Sequence, residues 1–365
     1  MRKSPPFRAE HIGSLLRPRA LLDARANHAS GGTTAQALAA AEDQAIREAI
    51  ALQQRLGLKL VTDGEFRRAS YHSFFFSQLG DISIDSDPST GAGGRGAQPV
   101  AMIKSRIRWN KPIHVADFEY LKRHASALPK ITIPGPCALH FRGGNAAVTA
   151  QAYRDVDQFW DDIVAAFRAE LLALAAAGCT YVQIDETAFA KFGDPAVQAT
   201  LAARGEDWSA LIDRYIEITN RVLQGLPESL SIGMHLCRGN RGGHWHAEGS
   251  YESVAERLFN ALAINFFYLE FDSPRAGGFA PLRLVPPGKS VVLGLVSSKS
   301  DKLEAMDELK QRVDEASHYV DIDRLAVSPQ CGFASVDSGN PISPRIQEQK
   351  LSLVVRLAEE IWGSA

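Results

Sequence analysis

The sequence has little net charge, few cysteines and no long apolar run. Its 40 basic and 42 acidic residues nearly cancel and leave a formal charge of −2 over 365 residues. A near-neutral chain does not attract a polyanion, so we expect no nucleic-acid partner. No apolar run approaches the roughly 20 residues that cross a bilayer, so we expect no membrane partner. The 45% hydrophobic and 22% charged residues are typical of a globular protein and argue against wholesale disorder.

The cysteines are too few for a disulfide scaffold. There are four of them, at Cys137, Cys179, Cys237 and Cys331. The first ten residues, MRKSPPFRAE, lack the apolar region of a signal peptide. We therefore expect a cytoplasmic protein with reduced thiols.

Short apolar segments alternate with longer amphipathic ones along the chain. Eight short segments are predicted as buried parallel strands: Arg8–Gly13, Lys59–Asp63, Lys130–Pro134, Tyr181–Asp185, Leu230–Cys237, Phe266–Phe271, Ser290–Val296 and Arg324–Ser328. Six longer segments have helical periodicity: Thr34–Leu56, Ala152–Ala177, Trp208–Leu223, Tyr251–Ala263, Asp301–Tyr319 and Pro344–Trp362. This alternation predicts an α/β fold, a (β/α)8 TIM barrel with decorated βα loops, that forms one catalytic domain over residues 1–365. We predict no helix after the sixth strand and an irregular segment after the second.

One low-complexity segment, Ile84–Gln98, follows the second predicted strand. Its sequence, IDSDPSTGAGGRGAQ, is rich in Gly, Ser and Asp and predicts a mobile surface loop. Since it would emerge at the same rim as the other strand-to-helix loops, a lid over that rim is the alternative interpretation.

A His-x-Cys motif ends the fifth predicted strand. His235 and Cys237 are two residues apart, so both side chains point to one face. Glu270 places a carboxylate at the end of the apolar sixth strand, and Cys331 follows the eighth. In a barrel these four residues lie at the carboxyl ends of the strands, where barrel enzymes act. One His, two Cys and one Glu predict a Zn²⁺ site.

Taken singly, each of these residues is more simply a small buried side chain. Their convergence on one face favours the metal site, whereas Cys137 and Cys179 have only apolar neighbours and are predicted to pack in the core. Two thiolates and a carboxylate form an anionic ligand shell, which suits holding a substrate thiol as an electron-rich thiolate. A free thiol has a pKa of about 8.5, so metal binding makes the nucleophile available near neutral pH.

Polar groups end three further predicted strands. The first ends in HIGS, where backbone N–H groups and the Ser14 hydroxyl could bind a carboxylate. The second offers Glu65, and the fourth offers Asp185 and Glu186; two such acids could hold an ammonium group. Each acid is alternatively a helix cap or a solvated loop residue. A charge that closes a buried strand nevertheless requires a partner.

Three further groups near the predicted rim have two interpretations each. One set of aromatic side chains walls a planar donor or belongs to the core: Tyr71, Phe74, Phe75, Phe76 and Trp245. A second set follows the rigid turn after strand three and could project to the mouth: His140, Phe141 and Arg142. A third set faces solvent or pairs locally, and alternatively binds a sulfonate: Arg67, Arg68 and Arg238.

Eight ordered motifs together resemble the C-terminal catalytic barrel of cobalamin-independent methionine synthase: HIGSLLRP, VTDGEFRR, IPGP, VQIDE, MHLCRGN, LEFDSPRAG, GLVSSK and SPQCGFAS. The sequence resembles most closely the short, single-barrel methionine synthase II-like members, from about Phe7 to Trp362. The resemblance implies a zinc-dependent methyltransferase of methionine biosynthesis, which transfers a methyl group from a 5-methyltetrahydrofolate-type or other donor to homocysteine. It also implies zinc ligands at His235, Cys237, Glu270 and Cys331, and contacts to homocysteine at Ile12, Ser14, Glu65 and Asp185.

The sequence departs from the long members of that family around the donor. It has no counterpart of their N-terminal, folate-binding barrel, no histidine in the strand-seven loop, where it has Ser297, Ser298 and Lys299, and no tryptophan after the strand-three turn. The donor and its proton source stay open. Two alternatives remain: a zinc enzyme that opens epoxides with coenzyme M, and a non-catalytic zinc- and thiol-binding barrel. Glu65 and Asp185 favour an amino-acid thiol over a sulfonate. A homo-oligomer is compatible with the sequence.

Overall fold

A computed structural model describes residues 7–86 and 99–365 of the protein. The described residues contain ten strands: β1 (Leu60–Val61), β2 (Ile82–Ser86), β3 (Pro99–Ile103), β4 (Leu128–Pro129), β5 (Ile131–Pro134), β6 (Tyr181–Glu186), β7 (Ser231–Leu236), β8 (Phe266–Glu270), β9 (Ser290–Val296) and β10 (Leu325–Pro329). Strands β5 to β10 form one parallel sheet in which each strand pairs with the next along the chain. This order is that of a (β/α)8 TIM barrel, so the predicted fold is confirmed.

The barrel closes through short contacts. Strand β1 pairs in parallel with β4, and Ala9 forms a single parallel bridge to Val327 of β10. The Thr62 hydroxyl donates to the Gly13 carbonyl at 2.7 Å and joins the first segment to the second. The predicted strand Arg8–Gly13 is therefore reduced to one bridge, and Lys59–Asp63 is reduced to β1, because turns and side-chain bonds replace the regular ladder there.

The described residues also form eleven α-helices: α1 (Arg19–Ala29), α2 (Ala35–Arg55), α3 (Ser73–Ser77), α4 (Val115–His124), α5 (Ala138–Phe141), α6 (Val156–Ala176), α7 (Pro195–Ala203), α8 (Trp208–Leu223), α9 (Glu252–Ala261), α10 (Met306–Ser317) and α11 (Pro344–Trp362). The bounds of α8 and α11 are those predicted, since the side chains of Asp207 and Ser343 cap them. Only 3-10 turns follow β8, as expected, whereas five helices were not predicted: α1, α3, α4, α5 and α7. None of these helices is both long and apolar enough to cross a bilayer.

The segment after the second barrel strand contains a hairpin. Strands β2 and β3 pair antiparallel from Ile82 opposite Ile103 to Ser86 opposite Pro99. The predicted loop Ile84–Gln98 was wrong at its start, because Ile84 belongs to this hairpin. The rest of that prediction, residues 87–98, lies outside the described residues.

Hydrogen-bonded side chains fill the inside of the barrel. The hydroxyls of Tyr181 and Tyr268 lie 2.6 Å apart, and both donate to the carboxylate of Glu10. The Lys130 ammonium lies 3.4 Å from Glu10 and donates to Gln183 at 2.9 Å. All five residues are buried, so each polar group meets a partner without water. The carboxyl ends of the strands therefore rest on a filled interior.

Candidate metal centre

Four side chains that can ligate a metal meet at the carboxyl ends of the strands. The ligand atoms of His235, Cys237, Glu270 and Cys331 all lie within 4.8 Å of one another, and all four residues are buried. The structure thus brings together the four residues predicted from sequence, and it does so from three separate strands.

Local backbone geometry explains how these side chains converge. Strand alternation directs His235, on β7, and Cys237, just beyond it, to the same face. Glu270 is the last residue of β8, and Cys331 lies two residues beyond the end of β10. The β9–β10 register shifts between Ser328 and Pro329, and such an irregularity re-aims the chain that follows.

The sulfur positions suit a metal better than a disulfide. The Sγ atoms of Cys237 and Cys331 lie 3.7 Å apart, and both cysteines are free. A disulfide bond is about 2.05 Å long. Two thiolates at about 2.3 Å from a tetrahedral zinc are separated by roughly 3.75 Å. The separation of the two sulfurs is therefore that of two ligands to one zinc ion.

Unpartnered polar atoms at the cluster also fit the binding of a cation. Neither ring nitrogen of His235 has a hydrogen-bond partner in the described structure, and the same holds for Oε2 of Glu270. The other carboxylate oxygen of Glu270 accepts the backbone N–H of Arg238 at 2.7 Å. Buried polar atoms without partners are costly, and a metal ion would satisfy Glu270 Oε2 and one of the two ring nitrogens of His235.

The two thiols are electrostatically unequal. The hydrogen bond from the Cys331 thiol, aided by His235, holds the pKa of Cys237 well below its usual value and that of Cys331 well above it. Burial raises the pKa of Glu270, and the nearby Lys299 opposes that rise. Lys299 Nζ lies 3.8 Å from Glu270 Oε2. One thiolate is thus already favoured at the cluster.

The predicted substrate-binding residues line the same pocket as three of the four cluster residues. This pocket has about 950 Å³ of space, including its open mouth, and Ile12, Ser14, Glu65 and Asp185 contribute to its wall. We call these four residues the thiol cradle. Glu270 does not line the pocket and lies behind the other three cluster residues. The arrangement can hold an amino acid with its side-chain thiol directed at the cluster.

Glu65 reaches the pocket through a strained turn. It is the one non-glycine residue in the described ranges with positive φ, at 62°, and Gly64 before it has φ of 67°. The Asp63 carboxylate accepts the Glu65 N–H at 2.8 Å and holds this turn. Such backbone strain is concentrated at functional sites. Thr132 donates to Glu65 Oε1 at 2.9 Å, and Oε2 is buried without a hydrogen-bond partner among the described residues.

Asp185 is held at the end of β6 beside the metal cluster. It lies opposite His235 in the β6–β7 register and accepts a hydrogen bond from Gln183 at 2.7 Å. Burial raises the pKa of Asp185 to about 7, with Glu65 adding to the rise and His235 opposing it. A ligand ammonium beside Asp185 and Glu65 would relieve this cost, because an opposite charge stabilises both carboxylates.

The arginines proposed from sequence as sulfonate ligands do not line this pocket. Arg67 pairs with Asp43 and Asp117, and Arg68 donates to the carbonyl and hydroxyl of Thr132. Arg238 donates to the Glu270 and Gly249 carbonyls. All three guanidinium groups pair within the protein and none lines the pocket, so the local-pairing interpretation fits them and the sulfonate interpretation does not.

The other rim candidates separate into core and pocket. Phe75 and Phe76 pack against Phe167 in the core, and His140 is bonded to the Tyr215 hydroxyl at 2.7 Å. The pocket is lined by only two of the eight rim candidates, Tyr71 and Arg142. Cys137 and Cys179 are buried in the core, as predicted.

Sequence reasoning missed two residues at this site. Lys191, in the 3-10 turn Phe189–Gly193, lines the pocket, and its buried ammonium has a pKa lowered to about 8 by desolvation. Its only signal was a lysine between phenylalanines in FAKFG. Thr132 orients Glu65 from β5 and carried no signal, because threonine is common in strands.

Comparison with known proteins places this geometry in a family. Residues 7–343 match the family described as cobalamin-independent synthase, catalytic domain. The uncharacterized protein YxjG of Bacillus subtilis is 38% identical over 99% of this chain and 96% of its own length. A Listeria monocytogenes structure, described as a candidate vitamin-B12-independent methionine synthase, is 31% identical with a TM-score of 0.76 and full coverage of both chains. A B12-independent methionine synthase of a Shewanella species, solved with selenomethionine, shares the fold at 20% identity, with a TM-score of 0.74 over 97% of both chains. The chain belongs to the family of the cobalamin-independent synthase catalytic domain.

Proposed function

We propose that the protein is a zinc-dependent S-methyltransferase that converts homocysteine to methionine. The observation that carries the proposal is the juxtaposition of the four-residue cluster and the thiol cradle in one pocket. His235, Cys237, Glu270 and Cys331 would hold zinc. Bound zinc supplies a Lewis acid that stabilises a substrate thiol as its thiolate near neutral pH.

The cradle residues orient the amino acid by charge. Glu65 and Asp185 face the pocket with carboxylates that can accept hydrogen bonds from the ammonium group of homocysteine. The Ser14 hydroxyl and the backbone at Ile12 receive its carboxylate. This placement directs the side-chain sulfur toward His235 and the two cysteines. Sulfonates lack the ammonium group that makes these two acids useful.

Methyl transfer then requires in-line alignment of sulfur and donor. A sulfur–carbon bond forms as the bond between the methyl carbon and the donor breaks, and the departing electron pair stays on the donor. Alignment of the reactants accounts for about 7–11 kcal/mol of the barrier in favourable cases. The pocket walls contribute by fixing both reactants and excluding water.

The relatives support this proposal by their names and ligands. The Shewanella protein was solved with selenomethionine, an analogue of the methionine that the proposed reaction would release. The Listeria protein covers this chain fully at 31% identity and is described as a candidate enzyme of the same kind. The pocket is not lined by the three arginines that the sequence offered as sulfonate ligands, Arg67, Arg68 and Arg238. Their support for coenzyme M as the substrate thiol is therefore removed.

A methyl-transfer assay tests the proposal directly. Zinc-loaded protein is incubated with homocysteine and with 5-methyltetrahydrofolate as the mono- or triglutamate, and methionine is quantified. The parallel reaction contains coenzyme M and propylene oxide, with loss of free thiol as the readout. Methionine from the first reaction alone supports the proposal, whereas product from the second alone overturns it in favour of epoxide opening. Homocysteine binding without product from any donor would indicate the non-catalytic barrel.

A further inference from the structure

Two buried cations line the pocket beside the thiol cradle. Arg142 and Lys191 are only 8% and 4% exposed, respectively, and both contribute to the pocket wall. Neither forms an ion pair among the side chains that the structure describes, and the buried Glu186 is an acid whose charge acts on both. Buried charges require a partner, so the pair predicts an anionic ligand.

Arg142 has hydrogen-bond donors to spare. Its Nη1 donates to the Ala138 carbonyl at 2.7 Å, and its Nη2 donates to the Tyr71 hydroxyl at 2.8 Å. Nε is buried and has no partner in the described structure. A guanidinium has five N–H donors, so three remain after these two bonds. The two protein contacts fix its orientation while leaving that capacity unused.

Lys191 is held against an aromatic face rather than an acid. Its ammonium lies 5.4 Å from the ring centre of Phe141. Burial, together with the positive charge of Arg142, lowers the pKa of Lys191 to about 8. The negative charge of Glu186 opposes this lowering of the Lys191 pKa, but Glu186 is fully buried and does not line the pocket. A ligand anion would stabilise both cations at once.

A third donor completes the group. Thr187, the residue after β6, lines the pocket, and its buried hydroxyl has no partner in the described structure. Lys191 lies four residues further along the same loop, whereas Arg142 follows α5. Asp185 of the thiol cradle is the last residue but one of β6, the strand that leads into this loop. Two acids, Glu65 and Asp185, and two cations, Arg142 and Lys191, therefore line one pocket.

We propose that Arg142 and Lys191, with Thr187, form an oxyanion subsite that binds an acidic group of the methyl donor. The inference rests on the proposed function and adds the chemical class of the second substrate: a donor that carries a carboxylate or a phosphate. The opposite charges orient the two substrates, since an ammonium is attracted to Glu65 and Asp185 and repelled by Arg142 and Lys191.

Binding of simple anions tests the subsite without knowledge of the donor. Zinc-loaded protein is first saturated with homocysteine and then titrated calorimetrically with glutarate in one experiment and inorganic phosphate in another. We expect at least one of them to bind, and the tighter one identifies the acidic group. Lys191→Gln and Arg142→Met should each weaken that binding at least tenfold, while Lys191→Arg should restore it to within threefold.

The controls separate the subsite from the thiol site and from folding. Lys122→Met removes an exposed lysine that contacts Phe118 outside the pocket and should leave anion binding unchanged. Zinc content and the homocysteine Kd should change less than twofold in the Arg142 and Lys191 variants. A thermal melt identifies any variant that fails to fold. If Lys191→Gln fails to fold, Lys191→Arg still tests the subsite, because its Kd for the anion should lie within threefold of the wild-type Kd.

Distinct outcomes overturn the inference. Each anion titration is repeated without homocysteine. No binding of either anion in both titrations, or equal binding by wild type and Lys191→Gln, means that the cations serve only the fold. Anion binding that is seen only without homocysteine, or a parallel loss of homocysteine binding in the variants, assigns the cations to the acceptor's own carboxylate. Failure of wild type to bind homocysteine contradicts the proposed function instead, and is seen before any anion is added.

Discussion

The sulfur atoms of Cys237 and Cys331 lie 3.7 Å apart, although their strands, β7 and β10, are separated in the sheet by β8 and β9. The curvature of the barrel brings the two ends together, and Glu270 closes the space between them from β8. The cluster thus depends on barrel closure as well as on local sequence. This dependence makes the metal site sensitive to single ligand changes.

Cys331→Ser should lower zinc affinity at least about 100-fold. The change removes a thiolate ligand, and even an outer-shell partner typically contributes about 10- to 100-fold. Zinc content after dialysis against a weak chelator measures the effect. Cys179→Ser is the matched control, because its Sγ donates to the Tyr181 carbonyl in the core and lies outside the cluster. Full zinc retention by Cys331→Ser would remove Cys331 from the ligand set.

Asp185→Asn should weaken homocysteine binding about 10- to 100-fold, since a hydrogen bond to a charged group contributes about 1.5–3 kcal/mol. The amide keeps the shape and can still accept a hydrogen bond from Gln183, so zinc content should not change. Calorimetry and metal analysis on the same sample provide both readouts. Simultaneous loss of zinc would show that Asp185 acts as a ligand or holds the cluster in place.

Methionine binding should strengthen as pH rises toward 7. Burial places the pKa of Asp185 at about 7, and only its carboxylate form attracts the ligand ammonium. Protonation below that pKa therefore weakens binding, and bound zinc shifts the midpoint to lower pH because positive charge favours the carboxylate. Methionine has no thiol to ionise, which isolates the acid. An unchanged pH profile in Asp185→Asn would contradict this assignment.

Thr132→Val should weaken homocysteine binding about 3- to 10-fold, because the Glu65 carboxylate keeps its charge and loses only a hydrogen bond that positions it. The Thr132 hydroxyl donates to Glu65 and accepts from Arg68, both at 2.9 Å, and so fixes the carboxylate without touching the pocket. Thr219→Val is the buried control, since that hydroxyl has no partner in the described structure. Equal effects of the two changes on homocysteine Kd would refute a positioning role.

Gly332→Ala should displace Ser14 and weaken homocysteine binding about tenfold or more, since buried contacts do not tolerate such overlap. A Cβ at Gly332 would lie 2.0 Å from Ser14 Oγ and 3.2 Å from its Cβ. Gly278→Ala is the control, because a Cβ there meets nothing within 4 Å. Homocysteine affinity is the readout, with zinc content measured because Gly332 follows Cys331. An unaltered homocysteine Kd would exclude Ser14 from the cradle.

The barrel could be predicted because buried parallel strands are apolar runs with clear ends. Trp208–Leu223 and Pro344–Trp362 were predicted with the observed bounds, since capping residues mark their starts. The helix Arg19–Ala29 was missed because it buries little apolar surface, with Leu21 its one buried residue. The first barrel strand was predicted to be longer than it is. The apolar residues of Arg8–Gly13 are buried, but the segment forms a single bridge and no regular hydrogen-bonded ladder.

The metal cluster could be predicted because each of its residues ends or follows a recognisable strand. The cationic region could not, because Lys191 and Thr187 lie in a loop whose path depends on packing against Phe141. The role of Thr132 could not be predicted from the sequence for a different reason. Thr132 acts through a hydrogen bond to Glu65, and that bond depends on a left-handed turn at Gly64 and Glu65. The ends of strands can be predicted from local sequence, whereas contacts between loops cannot.

The central claim is that the cluster binds the homocysteine thiol as a thiolate, and proton release tests it most directly. Zinc-loaded protein is titrated with homocysteine and, separately, with methionine, in buffers of different ionisation enthalpy at pH 7. Methionine corrects for protons exchanged by Asp185, so the difference between the ligands reports the thiol alone. A difference of about one proton is predicted, because a free thiol with a pKa of about 8.5 is mostly protonated at this pH. Equal proton release by homocysteine and methionine, or binding of coenzyme M in place of homocysteine, would contradict the claim.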